Sequence, residues 1–204
     1  MSTVAKTSKI TKLRKPPRIK TNKELREREY LTQEEIDSLI QAIRKHSRNA
    51  LRDETLVTMM FRHGLRVSEA VNLKWEQVDF KEGLLHVSRI KNGKDSVHPI
   101  PGVELRLLRR LERQPNRQRY IFLSERKSPI KNNTVNDMFK LMGRHAGLAF
   151  PTHPHMLRHA CGFYLANKGV DLRSIQMYLG HANIANTVIY TELAGNKFKG
   201  FWKD

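Results

Sequence analysis

The stretch His153-Pro154-His155-Met156-Leu157-Arg158-His159-Ala160-Cys161-Gly162-Phe163, followed by Leu179-Gly180-His181 and then Tyr190, organises the rest of the chain. Pro154 has a fixed φ and no N–H to lose, so it suits the first residue of a helix, expected to end near Gly169. Asp171 caps a second helix by accepting from the N–H groups of its first turn, and Gly180 stops it. A last helix holds Thr187–Leu193. Three short helices therefore carry a histidine and an arginine 3 residues apart, a histidine 23 residues on, and a tyrosine 9 residues after that.

Towards the N-terminus, the pattern predicts more helix and one small sheet. Thr32 and Glu35 form a T-x-x-E capping box, and Ile36, Leu39, Ile40 and Ile43 follow at helical spacing. A helix from about Asp53 to His63 stops at Gly64, and a short one spans Val67–Leu73. Val78–Phe80, Leu84–Ile90 and Ser96–Ile100 are short and β-prone, with turn residues at Lys81-Glu82-Gly83 and Asn92-Gly93. They predict a three-stranded antiparallel sheet. Helices resume over Val103–Arg113 and Thr134–His145. The expected fold class is mainly α with this one small sheet.

The 204 residues, 39% of them hydrophobic, suffice for one sizeable core. A net charge of +18 points to a polyanionic partner, nucleic acid or an acidic membrane surface. No run approaches the roughly 18 apolar residues that span a bilayer, and the N-terminus lacks the apolar core of a signal peptide. Nucleic acid is thus the better partner, and the expected location is the cytoplasm, in association with the nucleoid. A single cysteine, Cys161, excludes an internal disulfide or a multi-cysteine zinc site. Residues 1–23 hold eight Lys or Arg and no Asp or Glu. Residues 1–29 are read as a flexible basic tail that tracks phosphates, and 30–204 as the folded domain.

The N-terminal half adds Gly64-Leu65-Arg66-Val67-Ser68-Glu69 and the hairpin arm Arg89-Ile90-Lys91-Asn92-Gly93-Lys94. Taken with the C-terminal residues, the set resembles the tyrosine recombinase (phage integrase) family. That family's pattern is an Arg in G-L-R-x-S-E, a hairpin Lys, H-x-x-R, a His in L-G-H, and a Tyr nine residues later. Every element is present and in order over roughly Leu31 to Trp202. The stretches around His153–Phe163, Asn183-Ile184 and Thr187-Val188 are most similar to the short fimbrial-switch recombinases of the Fim type, which invert a promoter segment. The resemblance implies site-specific breaking and rejoining of double-stranded DNA by inversion, integration or excision. It also implies a homotetramer on two DNA sites, possible accessory DNA-bending proteins, and a C-terminal segment (Phe198, Phe201, Trp202) that packs into a neighbouring protomer.

Cutting a phosphodiester with a phenol sets three requirements. Charge at the phosphate must be compensated, and the forks of Arg66 and Arg158 bind non-bridging oxygens bidentately in a way a lysine does not. The nucleophile Tyr190 must be activated: with an ordinary pKa of about 10, roughly one part in a thousand is ionised at pH 7. A cationic pocket favours the phenolate and the pentavalent transition state together, and His155 is the expected proton acceptor or hydrogen-bond partner. The departing 5′ oxygen needs a proton, which the resemblance assigns to Lys91. Lys94 competes for that role, but Lys91 stands eight residues before Pro99, the expected spacing. His181 is expected to hydrogen-bond the phosphate, and Glu69, one turn after Arg66, to orient it. The product is a 3′-phosphotyrosyl link and a free 5′ hydroxyl. No cofactor, ATP or metal is expected.

Taken singly, each residue has a plainer reading. Tyr190 could be a packing residue, Arg66 a surface charge, and His155 a helix start. These readings fail jointly, because the whole set falls at family spacing. His153, His155 and His159 invite a metal reading, but no carboxylate or cysteine ligand set accompanies them in the sequence and His155 already has a role. His159 is read as structural, Cys161 as a small core residue, and His63, His86, His98 and His145 receive no role. Arg144, Lys131, Arg173 and Lys168 are candidate backbone contacts. The alternative function is a non-catalytic DNA-binding regulator on the same fold, with Asp171–Gly180 and Ala182–Tyr190 as a helix-turn-helix. A type IB topoisomerase and an RNA-binding protein are the remaining readings.

Overall fold

The computed structural model describes residues 28–90, 93–115 and 118–192. Lys91 and residues 193–204, with the expected exchange segment, lie outside the described residues, as do residues 1–27 of the basic tail.

The Thr32–Glu35 box forms as read. Thr32 Oγ1 accepts from the Glu35 N–H, and Glu35 Oε2 accepts from the Thr32 N–H, opening α1 (Gln33–His46). Helix α2 (Ala50–Arg62) begins one turn earlier than Asp53, because Asn49 O accepts from the Asp53 N–H and closes a turn in front of it. Nearly all of α2 from Asp53 to Phe61 is buried, so it is the central helix, packed on α1, α4 and α6. A short α3 (Val67–Val71) follows.

Strands β1 (Val78–Asp79), β2 (Leu84–Val87) and β3 (Ser96–Pro99) pair antiparallel in sequence order, with Leu85 opposite His98. Strand β2 ends at Val87 rather than Ile90 for a visible reason. The Arg89 N–H donates to Asp95 Oδ1 (2.7 Å) instead of joining the ladder, and the Arg89 side chain turns into the core.

Helices α4 (Gly102–Glu112), α5 (Asn132–His145), α6 (His155–Asn167), α7 (Leu172–Leu179) and α8 (Ala185–Glu192) complete the described fold. Pro154 is the N-cap of α6 rather than its first residue, and Asp171 caps α7 through the Arg173 and Ser174 N–H groups. Helix α8 starts two residues before Thr187. Leu39, Leu56, Met59, Phe139, Met156 and Leu157 meet in one core. Each such side chain contributes about 1.5–3 kcal/mol on burial. This core fixes α6, and α6 in turn seats α7 and α8. No described helix is long and apolar enough to cross a membrane.

Candidate active site

The turn between α2 and α3 supplies the first wall. Gly64 adopts φ +57°, where a side chain is strained, and an added Cβ would lie 2.3 Å from Leu179 Cδ2. Only glycine lets this turn sit against α7. Its carbonyl accepts from Arg158 Nη1 (2.5 Å) and Arg89 Nη1 (3.3 Å). Arg66 is the N-cap of α3, with its side chain 24% exposed. Glu69 Oε1 takes its Nη1 (2.7 Å), and Oε2 takes its backbone N–H (2.9 Å). The expected orientation of Arg66 by Glu69 is therefore a direct ion pair in this conformation.

Helices α6 and α7 supply the second wall. Arg158 is 1% exposed and also donates Nη2 to Leu179 O (2.6 Å). Gly180 caps α7 in the left-handed region (φ +66°) and turns the chain so that His181 follows inward. There His181 is buried, and its Nδ1 pairs with Thr187 Oγ1 (2.9 Å).

Tyr190, on α8, is 1% exposed. Its ring lies over Gly162, T-shaped against Phe163 (5.1 Å, 85°) and parallel to His181 (6.3 Å, 16°). Its hydroxyl pairs with His159 Nδ1 at 3.1 Å. Here the structure differs from the expectation. The histidine on the tyrosine hydroxyl is His159, read from sequence as structural, while His155 opens α6 one turn earlier, stacked edge-on against His159 (4.7 Å, 84°).

The electrostatics follow from burial among cations. Burial pushes the Tyr190 pKa up to about 12, against the pull of the Arg158 and Arg66 charges. The phenol is thus held neutral in the DNA-free protein. Burial and then the neighbouring Arg66 and Arg89 charges lower Arg158 to about 10, so it remains a cation at pH 7. Protein crowding, then Arg158 and Arg66, lowers His181 to about 3. His155 has an edge open to solvent, yet crowding by protein atoms, then His159, Arg158, His153 and Arg66, lowers it to about 4. Neutral imidazoles accept protons. Among the described residues, the positive charge of the site rests on arginines.

The described fold thus brings together Arg66, Glu69, Arg158, His181 and Tyr190, with His155 at the rim. Sequence reading missed three features. His159 could have been suspected because it lies one helical turn after His155 on the same face. Arg89 gave no signal beyond its place in the hairpin arm. The third is a buried chain in which Glu104 Oε2 pairs with His63 Nε2 (2.7 Å), His63 Nδ1 with His98 Nδ1 (3.2 Å), and His98 Nε2 with Ser96 Oγ (2.8 Å). Its members are too far apart in sequence to form a pattern. A cavity of about 580 Å³, lined by Glu54, Thr58, Phe61, Glu104 and Tyr164 among others, contains none of the five expected catalytic residues that are described. The site itself is largely enclosed, with Tyr190, Arg158, Glu69 and His181 buried and Arg66 and His155 reaching solvent.

The phage integrase family model matches residues 29–197. Type 1 fimbriae regulatory protein FimE of Escherichia coli K12 is 38% identical over 182 residues, covering 86% of this chain and 91% of that protein. FimB of the same strain is 36% identical over 189 residues, covering 90% and 94%. Tyrosine recombinase XerA of Pyrococcus furiosus is 38% identical over 83% of this chain, which spans only 59% of that protein. Among solved structures, a XerA recombinase aligns with a TM-score of 0.70 at 29% identity, over 83% of this chain and 60% of that one. A lambda integrase dimer bound to a core site aligns at 0.66 and 22% identity, over 86% of this chain and 50% of that one, a likeness of fold.

Proposed function

Because the chain belongs to the phage integrase family and carries a tyrosine recombinase catalytic domain, we propose that it cleaves and rejoins double-stranded DNA at specific sites through Tyr190. The observation that carries this reading is a buried tyrosine hydroxyl paired with a histidine and lying within the field of two arginines. In the reaction, a scissile phosphate enters between Arg66 and Arg158, whose N–H groups neutralise its non-bridging oxygens. The Tyr190 oxygen attacks phosphorus, and its proton passes to a neutral imidazole, His155 or His159. The bond from phosphorus to the 5′ oxygen breaks, and Lys91 protonates that oxygen. His181 donates to the phosphate. The phosphodiester energy is kept in the 3′-phosphotyrosyl bond, so the free 5′ hydroxyl of a partner strand rejoins by the reverse path without ATP.

A homotetramer on two sites, joined by exchange of residues 196–204, completes the proposal. The basic tail and the +18 charge supply sequence-independent phosphate contact. The likeness to FimE and FimB over almost their whole length supports inversion as the outcome. The test is covalent capture in the native cell. Detergent-resistant DNA–protein complexes are recovered from wild type and Tyr190→Phe, and the attached ends are sequenced. Reproducible ends at one or two loci, lost in Tyr190→Phe, are expected. Non-covalent occupancy in both proteins with no adduct in either would instead establish a DNA-binding regulator.

A further inference from the structure

Arg89 has no part in the chemistry assigned above, yet its side chain is fully enclosed, at 0% exposure. A buried guanidinium is costly unless every donor is met and its charge is opposed. Four partners surround it. Nη1 donates to Glu69 Oε2 (2.9 Å) and Gly64 O (3.3 Å), and Nη2 donates to His63 O (3.1 Å) and Tyr178 O (2.5 Å). Nε–H has no partner among the described residues. The shaft lies against Gly180, where an added Cβ would come within 2.7 Å of Arg89 Cγ. The same two backbone segments, Gly64 and Tyr178–Leu179, are also bridged by Arg158. Arg89 and Arg158 thus form two parallel ties between the Arg66 turn and the turn that delivers His181.

The charge arrangement is equally informative. Glu69 is a buried carboxylate shared by Arg66 and Arg89. If Arg66 were its sole counter-ion, much of the Arg66 charge would be spent on Glu69 and lost to the phosphate. With Arg89 present, Arg66, Arg89 and Arg158 face one carboxylate, leaving the site with a surplus of two positive charges rather than one.

We propose that Arg89 is a positioning residue for strand cleavage: it neutralises Glu69 so that Arg66 and Arg158 can spend their charge on the scissile phosphate, and it ties the Arg66 turn to the Tyr178–Gly180 turn that delivers His181. This inference rests on the recombinase reading given above. A lysine there supplies the charge but cannot reach four acceptors at once.

The test uses a nicked synthetic duplex bearing the cleavage site found by covalent capture. Its scissile phosphate is either a normal phosphodiester or a methylphosphonate, which lacks one negative oxygen and needs less cationic stabilisation. Adduct formation is timed for wild type, Arg89→Lys, Arg89→Gln and Arg89→Gln with Glu69→Gln. Arg89→Gln is expected to slow the phosphodiester about 100-fold but the methylphosphonate less than about tenfold, shifting the ratio of the two rates. Arg89→Lys should keep the wild-type ratio. The double variant, lacking both opposed charges, should return to that ratio and cleave the phosphodiester faster than Arg89→Gln. Should Arg89→Gln fail to fold, as judged by its melting curve, the double variant decides, since it leaves no buried carboxylate deprived of its Arg89 partner. Equal losses on both substrates in Arg89→Gln, or a shifted ratio in the double variant, would overturn the proposal. If wild type itself forms no adduct on either duplex, the recombinase reading fails.

Discussion

Gly162 is the residue on which the placement of Tyr190 depends most sharply. A Cβ added at Gly162 would stand 2.6 Å from Tyr190 Cε2 and Cζ and 2.7 Å from Cδ2. Carbon atoms in ordinary contact are about 3.5–4.0 Å apart, so Gly162→Ala forces the ring to recede by roughly 1 Å. Neither partner yields cheaply, because the ring is wedged between His181 and Phe163. Overpacking of this kind costs about 1–3 kcal/mol, while replacing a mid-helix glycine by alanine returns about 0.5–1 kcal/mol. The net loss is at most about 2.5 kcal/mol, a fall in Tm of no more than about 10 °C for a chain of this size. The protein therefore remains folded at 25 °C. The nucleophile, however, is displaced, and a misplacement of about 1 Å costs on the order of 100-fold in rate. The assay is single-turnover adduct formation on a nicked duplex, with a melting curve taken alongside. Cleavage within threefold of wild type would refute the packing argument.

Other consequences are similarly open to measurement. His98 and His181 are buried and held near pKa 3, well below the ordinary 6.5 of histidine. The unfolded chain takes up protons below pH 6.5 and the folded one does not, so stability should fall as pH drops from about 6.5 towards 3. Urea unfolding at pH 5 should show a loss of about 2 kcal/mol per histidine relative to pH 7, and an unchanged midpoint would contradict the burial assigned to both. Cys161 is buried with its thiol pushed up to about 12, so native protein should resist alkylation at pH 8 and react fully in denaturant; rapid native labelling would show that α6 opens. Arg158→Lys forfeits the bonds to Gly64 O and Leu179 O as well as the fork for phosphate. Adduct formation should fall by about 10²–10³-fold while duplex binding changes little, and a loss below tenfold would count against a bidentate role.

Much of this architecture can be read from the chain because local chemistry dictates it. The Thr32–Glu35 box, the Asp171 cap and the Gly180 stop each act within a few residues, so helices α1 and α7 follow directly from sequence. The family spacing located Arg66, Glu69, Arg158, His181 and Tyr190, and the described fold gathers them. What sequence reading could not supply was tertiary. Arg89 looks like an ordinary hairpin arginine until the fold brings the Gly64 and Tyr178 carbonyls to it from 25 and 89 residues away. His159 becomes relevant only once α8 lays the tyrosine across α6. The Glu104–His63–His98 chain joins α4, the C-cap of α2 and β3, elements with no local relation.

On the proposed mechanism, the same geometry would restrain the nucleophile. A phenol held near pKa 12 beneath its own helix is a poor nucleophile towards solvent or stray DNA. In that mechanism, a phosphate held between Arg66 and Arg158 would change that state, its negative charge raising the basicity of His155 and His159 while the arginines stabilise the developing pentavalent centre.

The central claim, that Tyr190 is the covalent nucleophile, is tested most directly by mass spectrometry of the adduct trapped on a nicked duplex. After nuclease and protease digestion, the remaining nucleotide should map to Tyr190 through a 3′ phosphate, and the released strand should carry a 5′ hydroxyl that a kinase labels without prior phosphatase. A nucleotide on Tyr164, Tyr178 or any other residue, or a released end already bearing a 5′ phosphate, would contradict the account.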